Sequence, residues 1–142
     1  MSATDFQNAR FNFQLPDFPV KNTTGSAMPS GTTVKMDASN VLSGTQQAVG
    51  VVPTAAITDV PFGIAVEAIP AGGYGRVQTI EGTAAWAIAL GAVTAGAMVG
   101  GSATSGQVTT YTAGDPVLGQ ALTAAVSAAD PILVKIAIKG LT

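Results

Sequence analysis

The chain has 142 residues, six Lys+Arg against eight Asp+Glu, a formal net charge of −2 and a pI near 4.7. Such a sparse, slightly acidic charge set lacks the basic field that nucleic acid or an anionic membrane surface requires. Cysteine and histidine are both absent, which removes disulfides, thiolate chemistry, the commonest metal ligand and the commonest general base.

In chain order, the first feature is a cluster of phenylalanines. Phe6, Phe11, Phe13 and Phe18 lie within the first eighteen residues, and Phe62 is the only other Phe. Burying four such rings yields roughly 6–12 kcal/mol at about 1.5–3 each. Ordering about twenty residues costs about 1–2 kcal/mol per residue in backbone entropy. The rings alone cannot fix the segment, which also needs main-chain hydrogen bonds to a surface. Residues 1–19 therefore read as an extended arm, kept from helix by Pro16 and Pro19, with Phe6, Arg10, Phe11, Phe13 and Phe18 as anchors on a partner. The rival reading is an arm folded back over its own domain. The start Met-Ser-Ala-Thr-Asp-Phe has neither a basic nor an apolar leader region, so no secretory signal is expected.

Residues 20–142 read as a single β domain. Val and Ile together number 23 and Thr 17, against seven Leu, and β-branched side chains suit pleated strands. Phe62, Ile64 and Val66 alternate with Gly63, Ala65 and Glu67, as a half-buried strand would. Arg76–Ile80 and Val117–Leu122 are further short strands. Ile132, Val134, Ile136 and Ile138 alternate with Leu133, Lys135, Ala137 and Lys139 in the clearest strand of all. Ala121–Ala129 is rich enough in alanine for a short helix, ended by Asp130-Pro131. Gly82 to Gly114 carries no charge, but its Ala and Gly content and distant basic flanks point to packed β structure, not to a membrane span.

One phrase recurs three times: Ala27-Met28-Pro29-Ser30-Gly31, Ala68-Ile69-Pro70-Ala71-Gly72 and Ala92-Val93-Thr94-Ala95-Gly96. Each describes a tight turn leading into β-branched residues, so Gly31, Gly72 and Gly96 are assigned to structural turns of a small barrel. Gly72-Gly73-Tyr74-Gly75 lacks the Lys-Ser/Thr of a phosphate loop and reads as a hairpin turn. The acids are scattered singly, no nucleophile–base pair exists, and Val34-Lys35-Met36-Asp37 lacks the Met-Lys-Met context of a biotin-carrying lysine. No catalytic residue, metal site or cofactor is assigned. Asn22-Thr23-Thr24 fits a glycosylation acceptor by chance, and Trp86, flanked by alanines, is expected in the core, with a subunit interface as the second reading.

The order of motifs resembles the small capsid decoration (cement) proteins of tailed bacteriophages. The match runs through Val20-Lys21-Asn22-Thr23-Thr24-Gly25, Met28-Pro29-Ser30-Gly31-Thr32-Thr33-Val34, Phe62-Gly63-Ile64-Ala65 and Ile69-Pro70-Ala71-Gly72. It continues with Ala95-Gly96, ends with Gly114-Asp115-Pro116-Val117-Leu118-Gly119-Gln120-Ala121-Leu122 and Asp130-Pro131-Ile132-Leu133-Val134-Lys135-Ile136, and so covers residues 20–138. The resemblance implies an all-β fold, a small β-barrel or β-sandwich, on the outer surface of an icosahedral head. It implies a non-enzymatic virion protein, made in the host cytoplasm, that clamps the major capsid protein lattice. Its partners would be that capsid protein and neighbouring copies of itself, as trimers at quasi-threefold positions, with no nucleic acid and no membrane. A tail-tube or fibre-associated β-domain is the alternative within the virion. An enzyme or carbohydrate-binding domain would need an acid cluster or an aromatic platform, and for the latter the body offers only Phe62, Tyr74, Trp86 and Tyr111, far apart in sequence.

Overall fold

The computed structural model describes residues 17–40 and 48–140. Every regular element among them is a strand: β1 (Phe18–Asn22), β2 (Thr33–Met36), β3 (Val49–Pro53), β4 (Gly63–Ala65), β5 (Tyr74–Gln78), β6 (Ala84–Ile88), β7 (Met98–Gly101), β8 (Val108–Thr110), β9 (Val117–Ala121) and β10 (Pro131–Lys139). The first five close a barrel in the order β1-β3-β2-β4-β5, and the last five form a sheet in the order β6-β10-β9-β7-β8. The all-β fold expected from the residue choice is therefore the fold observed.

The chain builds one strand scheme twice. In the barrel, β1 runs parallel to β3 and antiparallel to β5, while β2 pairs with β3 and β4, and β4 with β5, all antiparallel. In the sheet, β6 pairs with β10, β10 with β9, β9 with β7 and β7 with β8, again antiparallel. A parallel bridge between Ala89 and Val108 brings the sheet's two ends together where β1 meets β3 in the barrel. Register repeats as well as order. Val34 faces Pro53 and Gly63, as Val99 faces Thr110 and Gly119. Ala65 faces Val77 as Ala121 faces Val134, and Val20 faces Gly75 as Ala87 faces Ile132.

The turns repeat too. Met28 bridges Ile69, and Val93 bridges Ala125. The Gly31 N–H donates to the Ala65 carbonyl at 2.8 Å, and the Gly96 N–H donates to that of Ala121 at 2.7 Å. Gly31 and Gly96 take φ of 91° and 92°, a region that side-chain-bearing residues rarely adopt. The recurring phrase thus occupies two equivalent places, Ala27–Gly31 and Ala92–Gly96. Its third occurrence ends at Gly72 (φ 66°) in the turn before β5, where the second unit has Ala129 at φ 69° before β10.

Packing follows the duplication. The barrel core is Val20, Met28, Val34, Val51, Ala65, Ile69 and Val77. Their counterparts Ala87, Val93, Val99, Val108, Ala121, Ala125 and Val134 all lie in the second core. Volume is conserved by exchange, because close-packed interiors tolerate swaps only when the total is kept. A Cβ on Gly75 would stand 2.5 Å from Ile69, so the barrel pairs Gly with Ile. The second unit pairs Ile132 with Ala125 at the same two places. Both units need glycine in their fourth strand: a Cβ on Gly63 would collide with the Gln78 carbonyl, and one on Gly119 with the Lys135 carbonyl.

The two units are joined by packing and by main-chain bonds. Ile64, on the outward side of β4, is fully buried in the second unit's core, whereas its counterpart Gln120 is exposed. Gly106 accepts from the Thr33 N–H at 2.9 Å and donates to the Thr54 carbonyl at 2.8 Å.

Three expectations need correction. Ala121–Ala129 is not helical: Ala125 exchanges two hydrogen bonds with Val93, and the Asp130 carboxylate takes the N–H groups of Val126 and Ser127 at 2.9 Å, folding the run into a turn too short for helix nucleation. Gly63, Ile64 and Ala65 are all buried, because β4 is covered on both faces, so it is not half-buried as its alternation suggested. Trp86 is outside the core, on the outer face of β6, because Ala85 and Ala87 are the residues that point inward. The C-terminal strand matches its pattern, with Ile132, Val134 and Ile136 buried and Lys135 and Lys139 exposed.

Candidate interaction surface

The face on which Trp86 stands is built by alternation on three neighbouring strands. On β6 the buried alanines turn Ala84, Trp86 and Ile88 outward. Trp86 lies opposite Leu133 and Ile88 opposite Pro131 on β10. Leu122, just past β9, donates its N–H to the Leu133 carbonyl at 2.7 Å and stands beside it. Trp86 is 55% exposed and Leu122 45%. An apolar row of Trp86, Leu133 and Leu122, flanked by Ile88 and Pro131, therefore faces outward, unlike the scattered single apolar residues of an ordinary surface.

The first unit shows what this face looks like when it meets water. At the matching register Pro19 faces Arg76 and Lys21 faces Tyr74. Arg76 donates to Glu67 at 3.1 Å and lies 4.0 Å from Asp17, and Lys21 sits over the Tyr74 ring at 6.0 Å from its centroid. The Glu67 hydrogen bond, aided by the Glu67 and Asp17 charges, raises the Arg76 pKa above its ordinary value. Two of the matching places thus carry a charge in the first unit, Lys21 and Arg76, where the second has Ile88 and Leu133.

Between the units, a cleft of about 210 Å³ opens beside this face, lined by Asp17, Ser30, Val66, Gln78, Ala84 and Trp86 among others. Gln78 is buried and its amide donates to Asp17 at 3.1 Å, holding the first described residue at the cleft wall.

Of the residues assigned to the arm, Phe6, Arg10, Phe11 and Phe13 lie outside the described residues. Phe18 does not stand apart from the body. It opens β1 opposite Val77, and its ring packs edge-to-face on Phe62, with centroids 5.2 Å apart and planes at 88°. β1 thus begins within the segment expected as arm, because the β1–β5 ladder already includes Phe18 and Pro19. Gly31, Gly72 and Gly96 sit in turns and bring no chemistry together.

The acids are engaged locally. Asp37 accepts from Thr23 at 2.6 Å and from Ser39, and these bonds lower its pKa. Burial pushes Asp59 up, but bonds from the Ala55 and Ala56 N–H groups and from Lys35, 2.9 Å away, outweigh it and leave the pKa lowered. Asp130 is lowered by the Ser127 and Val126 N–H groups. No group of three or more acids forms a metal-binding cluster among the described residues. Asn22 of the glycosylation-like triplet is buried, and its amide donates to the Ser26 and Ile69 carbonyls. No helix among the described residues is long and apolar enough to cross a membrane.

The outer face was legible in part. Small–large alternation over Ala84-Ala85-Trp86-Ala87-Ile88 marks a strand, but hydrophobicity alone put the tryptophan inside. The matching phrases Phe62-Gly63-Ile64-Ala65 and Leu118-Gly119-Gln120-Ala121 carried the duplication that would have placed it outside.

The fold defines a class, that of small all-β proteins with two five-stranded units in tandem. No protein-family model matches the sequence, and no curated protein matches it. Among solved structures, the chain is similar to the N base of the head fibre protein gp8.5 of bacteriophage phi29, with a TM-score of 0.64 and 16% identity. The likeness covers 86% of this chain and 95% of that one, and it is a likeness of fold.

Proposed function

We propose that this chain is a non-enzymatic structural protein of a tailed-phage virion, held on the outer surface of the head, where it reinforces the major capsid protein lattice. The likeness to the base of a phage head fibre carries this reading, because it spans both units and not a single generic barrel. In this proposal residues 1–16 and Phe18 form the anchor, with Phe6, Arg10, Phe11 and Phe13 laid on neighbouring capsid subunits. The β units add a second, modest contact, and effective concentration makes the pair tighter than either alone. Neighbouring copies of the chain pack beside one another on the same lattice. A second reading, a base that carries a fibre on the head, is supported by the same likeness.

The test is binding to undecorated heads by the full chain and by a chain lacking residues 1–16, a cut that leaves β1 whole. The truncated chain should keep its β circular dichroism signal and lose head occupancy. Failure of the full chain to occupy heads ends the capsid reading, and unchanged occupancy after truncation ends the anchor. Purified protein that stacks into tubes would instead favour a tail component.

A further inference from the structure

We propose that in the free protein residues 1–16 of the same chain cover the apolar outer face at Trp86, a resting place from which the anchor is handed to the capsid. This inference rests on the anchor reading above and adds where the anchor lies beforehand.

Three observations point to that occupant. First, the face has diverged from its twin in one direction. The pairs Pro19–Arg76 and Lys21–Tyr74 of the first unit stand where the second has Trp86–Leu133 and Ile88–Pro131, and Leu122 extends the row. At two of these places the first unit carries Lys21 and Arg76, the latter paired with Glu67, so the fold does not demand apolar residues there. Something apolar is expected to cover them.

Second, the chain outside the described residues begins at this place. Asp17 lines the same inter-unit cleft as Trp86 and is fixed there by Gln78. Phe13 is four residues before Asp17, within about 13 Å of extended chain of the residue that lines the cleft with Trp86. Sixteen residues reach about 50 Å when extended, more than the width of a body this size. Phe6 and Phe11 can therefore lie along Leu133 and Leu122 without a second molecule.

Third, the segment and the face have matching chemistry. Residues 1–16 carry three phenylalanines and only Asp5 and Arg10 as charged side chains. Rings of this kind left in water before a capsid is met would promote association between copies, and the chain holds an apolar surface for them beside their own origin.

Trp86 is the only tryptophan, so its fluorescence reads the face directly. The experiment uses the free full-length chain, the chain lacking residues 1–16, and a full-length Phe6→Ser, Phe11→Ser, Phe13→Ser variant, each checked by circular dichroism. Truncation and the triple substitution should both shift Trp86 emission to the red and raise its quenching by acrylamide. Across a wide dilution series the full chain's emission should stay constant, as an intramolecular contact requires. Unchanged emission in both variants overturns the proposal. A red shift of the full chain on dilution assigns the face to a second copy and overturns it as well. Unchanged emission combined with lost head occupancy removes this inference and leaves the anchor standing, and the opposite combination removes the anchor alone.

Discussion

The barrel of residues 18–78 and the sheet of residues 84–139 are two solutions to one problem. Both use the same order, register and left-handed glycine turn, yet they differ wherever the surroundings differ. Ile64 is covered by the second unit and is apolar, while Gln120 at the same place is exposed. The Arg76 side of the first unit is charged, while the Leu133 side of the second is apolar. What stays constant between the units is set by the backbone, and what varies is set by what each face touches.

The largest expected effect tests that rule at the junction. Ile64→Ala should cost about 2–5 kcal/mol in chemical denaturation, the range for emptying a buried aliphatic site. Gln120→Ala should cost no more than about 1 kcal/mol, because the side chain is exposed and loses only its amide's hydrogen bond to the Gly96 carbonyl. Similar losses at both positions would break the comparison.

Next come the fourth-strand glycines. Gly63→Ala and Gly119→Ala each force a methyl into a neighbouring carbonyl. Each should lose about 3 kcal/mol, the upper end of overpacking costs, read as a lower urea midpoint. Equal losses would show that the constraint belongs to the shared backbone.

A smaller contrast sharpens the turns. Gly31→Ala and Gly96→Ala both meet the positive-φ penalty of about 1–2 kcal/mol. A Cβ at Gly31 also lies 3.1 Å from Ile88 of the other unit, whereas one at Gly96 meets nothing within 4 Å. Thermal unfolding should therefore show the Gly31 variant melting lower.

The smallest effect is on pH. Asp37 and Asp59 of the first unit and Asp130 of the second have lowered pKa values, so their ionised forms favour the native state. That contribution is complete above the unfolded carboxylate value near 4 and is lost as pH falls through the lower folded values. With no histidine, denaturation midpoints should be flat from about pH 8 to 5 and decline only below about pH 4.

Much of this architecture could be read from the residues, for definite reasons. The alternation over Ile132–Lys139 is unambiguous because β10 has one face on the core and one in solvent. Gly31 and Gly96 stood out because a tight turn tolerates little else at φ near 90°. The doubling was hidden because core positions exchanged volume, Gly75 with Ile69 against Ile132 with Ala125, which erases likeness while preserving the sum. Trp86 was misplaced because hydrophobicity scores a side chain and not the direction a strand gives it. Of the residues assigned to the arm, Phe18 is the one among the described residues, its ring edge-to-face against Phe62.

Were the chain held through residues 1–16, as proposed above, β1 would carry the load. The strand is laddered on both sides, to β5 through four residue pairs and to β3 through three. Phe18 and Pro19 are held by β5 alone, and from Val20 onward both ladders share any tension arriving through residue 17. Drawing β1 out of the barrel would therefore require two ladders to part together.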